Sequence, residues 1–175
     1  MGNRFENEVN LINDNYVKRL TIQCIEHAPS YFWEIPSSST GKYHPIDENV
    51  PGGKYFHSQR FVRLAYDLCK DLNVSGRDRD FVIAASIMHD FCSNGYPTNS
   101  GSTIMGHGAL WLNIVREFMP KEAITAEPEI KTIAWLIEEH MGIWDIPLTE
   151  PKDKLSMIVH LSDYVASREY IQVKL

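Results

Sequence analysis

The residues with the most chemical reach in this sequence are its histidines, His27, His44, His57, His89, His107, His140 and His160. His89 is followed at once by Asp90, and Asp163 lies one helical turn beyond His160. Imidazole nitrogens and carboxylate oxygens, with no thiolate among them, form a donor set for divalent first-row metals. Each residue alone has a structural reading, since a histidine at a helix C-terminus already interacts well with the helix dipole. Their settings point further. Asp163 falls among Val159, Leu161, Tyr164 and Val165, and a carboxylate beside an apolar stripe must find a cation or donors. His89-Asp90 follows the most apolar segment of the chain, FVIAASIM from Phe81 to Met88, and so starts close to the core. Two metal ions a few Å apart need about this many ligands, with one carboxylate between them. Such a pair activates water and clamps an in-line phosphoryl displacement.

The elements that must position these groups all show the helical period. Residues 6–27 carry Val9, Ile12, Tyr16, Leu20 and Cys24 on one stripe, and Pro29 ends it. Residues 29–53, with Pro36, Gly41, Pro45, Pro51, Gly52 and Gly53, form one long irregular stretch of the kind that serves function. A helix is expected over 54–73 through Phe61, Leu64, Ala65, Leu68 and Leu72, and a buried one over 77–91. Further helices are expected over 104–119, over 129–140 and from Lys152 to about Val173, with a loop over 142–151. His57 and His107 then open helices, whereas His89 and His140 close them. Nothing alternates at period two. The pattern predicts a single all-α domain of six or seven helices. Residues 1–53 would be its N-terminal helix and loop, and residues 54–175 its ligand-bearing core.

Composition removes several function classes. Seventeen Lys and Arg against 23 Asp and Glu give a formal net charge of -6, which excludes a general nucleic-acid binder. A small anionic ligand at a local cation or metal stays open. Cys24, Cys69 and Cys92 lack a C-x-x-C spacing, so neither a disulfide framework nor a cysteine zinc site is expected. No apolar run approaches the ~20 residues of a membrane span. The N-terminus reads as neither a signal peptide nor a myristoylation motif, because Glu6 stands where Gly2 would need a hydroxyl residue. A soluble, cytoplasmic protein is expected.

The stretch SSSTGKYHP, Ser37 to Pro45, has the look of a nucleotide phosphate loop. It fails that test at Pro36, where the first glycine belongs, and at Tyr43, where a hydroxyl for magnesium belongs. The stretch reads instead as a lip over the pocket near His57. In that role Lys42 supplies charge, and Ser38, Ser39 and Thr40 supply donors. A surface loop packed by Tyr43 is the alternative.

In order along the chain, His57, His89-Asp90, His107 in MGHGA, His140 in EEHMG and Asp163 in HLSDYVASR match an H…HD…H…H…D pattern. This resembles the dinuclear branch of the HD superfamily of metal-dependent phosphohydrolases, which includes cyclic-nucleotide phosphodiesterases and bacterial diadenosine tetraphosphate hydrolases. The resemblance runs from about Tyr31 to Arg168. SSTGKYHP and HMG-x-W are similar to segments of small phage and prokaryotic HD-domain proteins. The resemblance implies a helical HD bundle that holds two divalent ions, iron or manganese first, with nickel, cobalt, zinc or magnesium as alternatives. It makes His57, His89, Asp90 and Asp163 ligands of one ion, with Asp90 bridging, and His107 and His140 ligands of the other. A hydroxide between the ions would be the nucleophile. The substrate would be small, anionic and phosphorylated, of nucleotide type, and cut at a phosphoester or phosphoanhydride bond. Pairing into a homodimer is common in small relatives.

One departure bears on mechanism. Many relatives carry a lysine three residues after the Asp of the HD pair, and this chain has Ser93 there. Lys42, Lys54 and Arg168 are candidates for the missing cation, with Lys42 ahead of Arg168. The expected catalytic set is therefore Asp90, Lys42 and Arg168. The expected substrate contacts are Lys42, Ser39, Thr40, His44, Lys54, Ser93 and Trp144, the last as a base-stacking platform. His160 is either a partner of a metal ligand or a packed histidine. The missing lysine leaves open a second reading, a non-catalytic HD-fold module that binds a nucleotide or a protein.

Overall fold

The computed structural model describes residues 4–144 and 151–171. Eight α-helices occur among them: α1 Glu6–Val9, α2 Asn15–Glu26, α3 Gly53–Asp71, α4 Gly76–Met88, α5 Trp111–Phe118, α6 Lys121–Ala126, α7 Pro128–Glu139 and α8 Lys154–Ala166. Short 3-10 turns lie at Ser30–Trp33, Ile46–Glu48, His107–Leu110 and Gly142–Trp144. No strand occurs among the described residues. The all-α expectation holds, and the helix count exceeds the expected six or seven. Residues 145–150 of the expected loop, Gly2, and Val173 at the expected end of the last helix lie outside the described residues.

The extra helices have physical causes. The stripe over 6–27 is cut because Asp80 Oδ2 accepts the backbone N–H groups of Asn13 and Asp14, at 2.9 and 2.7 Å. Asp14 then caps α2 by accepting from Tyr16 N and Val17 N. The segment expected as one helix over 104–119 begins as the His107–Leu110 turn and continues as α5. At its start Gly108 meets the backbone of α7 so closely that an added Cβ would lie 2.7 Å from Ile137 O. Only glycine admits that approach. The last helix starts on a capping box between Asp153 and Ser156 and ends at Ala166.

The bundle is organised around α4. Its residues from Asp80 to Met88 are all buried, so beyond its first turn it has no solvent face. It packs against α2, α3, α7 and α8, and α3 also packs along α8. An aromatic group of Phe5, Phe32, Trp33, Tyr55 and Phe91 fastens the N-terminal segment to the base of this core. Phe91 comes directly after His89-Asp90, so the packing that holds it also fixes the chain leaving α4. All three cysteines are free and buried.

Candidate metal centre

Six side chains far apart in sequence converge where the ends of α4 and α7 meet the sides of α3 and α8. His57 projects from α3 and Asp163 from α8, while His89-Asp90 and His140 follow the last turns of α4 and α7. His107 opens its 3-10 turn after Gly106, which has the left-handed φ of 70°. Their ligand atoms fall into two groups, His57 with His89 and Asp163, and Asp90 with His107 and His140. Within each group these atoms lie within 4.8 Å of one another. His57 Nε2 is 2.9 Å from Asp163 Oδ1, and His107 Nε2 is 3.1 Å from Asp90 Oδ1. Asp90 Oδ2 lies 3.6 Å from His89 Nε2, so the two oxygens of Asp90 face opposite groups.

The imidazoles are held in one orientation. Nδ1–H donates to a backbone carbonyl three residues earlier in three cases: His89 to Ser86 O at 2.9 Å, His107 to Ile104 O at 2.9 Å and His140 to Ile137 O at 2.6 Å. In a neutral ring this leaves the lone pair on Nε2, which points inward. The Nε2 atoms of His107 and His140 then face each other at 3.2 Å. Two lone pairs at that distance repel unless a cation or a proton lies with them. His89 Nε2 is buried without a hydrogen-bond partner. A buried polar atom with no partner is costly, and a metal ion removes that cost. Donor chemistry, convergence and the unpartnered His89 Nε2 all fit divalent metal ions.

The electrostatics agree. Burial opposes the charge on Asp90, yet Lys54, His89 and His107 hold its carboxyl well below the usual range. Burial also opposes the charge on Asp163, and His57 outweighs it, so this carboxyl is lowered too. Burial would lower His57, but Asp163 and Glu48 raise it to about 10. Burial dominates at His89 and lowers it to about 3. His140 is lowered by burial and then by the neighbouring His107, whereas His107 is raised because Asp90 overcomes its burial. Two carboxyls held toward the ionised form and surrounded by imidazoles are an arrangement for cations.

The centre forms the floor of a cavity of about 490 Å³. Lys54 lines it at 2 % exposure, with Nζ 2.7 Å from Asp90 Oδ2 and 3.1 Å from Ser37 O. Ser38, Ser39, His44, Trp144 and Arg168 also line it. Trp144 is 57 % exposed, and the Arg168 guanidinium stacks 3.9 Å from the Tyr164 ring. Other expected contacts stand elsewhere. Lys42 is exposed and absent from the cavity wall, as is Thr40, whose Oγ1 lies 3.2 Å from Ser38 Oγ. Ser93 is fully buried behind the wall. His160 donates Nδ1–H to His140 O at 2.8 Å, which ties it to the backbone of that residue.

A sequence profile of the HD domain matches residues 55–168, about two thirds of the chain. The chain belongs to the HD-domain family. The family consists mostly of metal-dependent hydrolases, many of them phosphohydrolases. No curated protein and no solved structure matches the chain significantly. The paired H and HD-D residues of this HD domain are thus found with their side chains gathered at one centre.

Sequence reading missed several residues of the HD-domain cavity. Glu48 is fully buried against His44 and His57, and Ser37, Thr103, Met141, Tyr164 and Ser167 line the wall. The available signal for Glu48 was its place four residues after His44, which puts the two side chains in reach across a turn. The wall residues carry no motif.

Proposed function

We propose that this HD domain hydrolyses a phosphoester or phosphoanhydride bond of a small, nucleotide-type substrate. The observation that carries the reading is the convergence of imidazole Nε2 and carboxylate oxygen atoms on a cavity floor beside the buried ammonium of Lys54. His57, His89 and Asp163 would hold one ion and His107 and His140 another, with Asp90 reaching both. When bound, the two ions supply Lewis acidity to the phosphoryl group and an acidified water.

The chain's own residues do the rest. Lys54, already at Asp90, takes the phosphate charge that relatives meet with a lysine in the place of Ser93. It displaces Lys42 from the role expected of it, because Lys42 stands off the cavity wall. Ser38 and Ser39 donate from the loop side. Arg168 has its Nε bound to Tyr164 O at 3.1 Å, and its remaining N–H groups serve a second anionic group of the substrate. Trp144, and Tyr43 at 59 % exposure, offer faces on which a base can stack.

The test is turnover of nucleoside phosphates, dinucleoside polyphosphates, cyclic nucleotides and generic phosphodiesters with manganese or iron, with products identified. Asp90→Ala is expected to abolish both metal retention and turnover. Full activity in that variant without metal would sink the proposal. The non-catalytic module drew its support from Ser93, and a buried cation at Lys54 weakens it. Tight metal and nucleotide binding with no turnover in the whole screen would restore it.

A further inference from the structure

We infer that Glu48 is a positioning residue that fixes the His57 imidazole for metal binding; the inference rests on the metal-centre reading above. Three of the four histidines of the centre are oriented by backbone carbonyls three residues earlier. His57 is not. It sits inside α3, where the carbonyls are committed to the helix. Its Nδ1 is buried with no hydrogen-bond partner, and the Glu48 carboxylate faces it, with Oε2 3.4 Å away. Both atoms are buried, in residues at 1 % and 0 % exposure. The carboxylate thus does for His57 what the main chain does for the others. A closing of that gap by a few tenths of an ångström on metal binding lets it accept from Nδ1–H, leave Nε2 for the ion and make the ring a stronger donor.

Glu48 is built to stay in place. Arg60, one turn after His57 on the same helix, donates Nη1–H to Glu48 Oε1 and Nη2–H to Asp47. His44 donates Nδ1–H to Glu48 Oε2 at 2.8 Å, and its ring packs edge-on to His57 with centroids 4.8 Å apart. Ser37 N donates to Glu48 O at 2.9 Å. Gly53, the first residue of α3, lies so close that an added Cβ would be 1.8 Å from Glu48 O. Any side chain at position 53 would push the Glu48 turn away from His57. The loop carrying SSSTGKYHP is therefore the mount for this carboxylate as well as a wall of the cavity.

The test is manganese binding, followed by calorimetry and by metal content after dialysis, in wild type, Glu48→Ala, His57→Ala and the double variant. Wild type is expected to take up two equivalents. Glu48→Ala should weaken one of them by about 10- to 100-fold and leave the other within about threefold. In the His57→Ala background, Glu48→Ala should add less than about twofold, because its effect runs through His57. Glu48→Gln, nearly isosteric, is read the same way if the alanine variant folds poorly. Additive losses in the double variant, equal losses at both equivalents, or wild-type affinity in Glu48→Ala with two equivalents bound would overturn this inference and leave the metal centre standing. A wild type that takes up no manganese overturns both.

Discussion

Replacing Lys54 by methionine separates two roles that the geometry gives one ammonium group. Lys54 Nζ lies 2.7 Å from Asp90 Oδ2 in a largely buried pair at the cavity floor. Methionine keeps the length of the side chain and removes its charge. Asp90 is then a buried carboxylate short of its main cation, and breaking such a pair costs about 3–5 kcal/mol. At about 2–4 °C per kcal/mol for a domain of this size, the metal-free melting temperature should fall by roughly 6–20 °C. Bound divalent ions replace the missing charge, so added manganese should recover most of that loss. Metal affinity should also rise, by about tenfold or more, because a charge-assisted bond of about 1.5–3 kcal/mol no longer competes for Asp90. Turnover should move the other way. Loss of one preorganised positive donor at a transferring phosphoryl group costs about 10²- to 10³-fold in kcat. The assays are thermal melts across a manganese titration and initial rates at saturating metal. A kcat within about threefold of wild type would refute the phosphate role. Parallel loss of metal affinity and turnover would refute it as well, since Lys54 would then act only by organising Asp90.

Lys42→Ala should leave metal content and KM within about twofold, because the side chain is exposed and off the cavity wall; a large rise in KM would return the phosphate contact to the SSSTGKYHP loop. Trp144→Ala should raise KM for nucleoside phosphates by about 5- to 150-fold, from about 1–3 kcal/mol per stacked base, and spare a substrate with no base. The pH dependence of the metal-free protein follows from His57. Its folded pKa of about 10 lies above the ordinary 6.5, so its contribution is fully present below about pH 6.5 and is lost as pH rises through 10. Between about pH 6.5 and 9 the loss is about 3 kcal/mol, which predicts a falling melting temperature without metal and a flatter one with it. Metal affinity should rise over the same range, because protons on His57 and His107 must leave for ions to bind. Melts at fixed ionic strength check both signs, and a metal-free melting temperature that climbs toward pH 9 would contradict the assignment.

How much of this was legible in the sequence depended on which physical signal each residue carries. The convergence of His89, His140 and Asp163 was legible because helix periodicity places them: His89 and His140 follow apolar stripes, and Asp163 lies within one, so a packed bundle must bring them near its core. Segment 6–27 was misjudged as one helix because its break is made elsewhere, by the Asp80 carboxylate of α4 capturing the N–H groups of Asn13 and Asp14. No local pattern announces a competitor 66 residues away. Lys42 was favoured over Lys54 for a related reason. Lys42 stands in a phosphate-loop-like string, whereas Lys54 stands at the start of a helix with no motif around it. What decides between them is the path of residues 37–53. Ser37 N bonds Glu48 O, and Lys54 N bonds Ile35 O, folding the stretch back on itself. That closure turns Lys42 outward and brings Lys54 under Ser37. The same fold carries Glu48 onto His57. A single turn-to-turn closure, invisible to periodicity, therefore sets both which ammonium faces the cavity and which carboxylate faces His57. A lesion in that closure, such as a bulky residue at Gly53, should damage metal affinity and substrate affinity together while the helical core keeps its secondary structure. Circular dichroism beside metal titration would show it, and loss of helix content in step with metal would argue that the loop is part of the folding core instead.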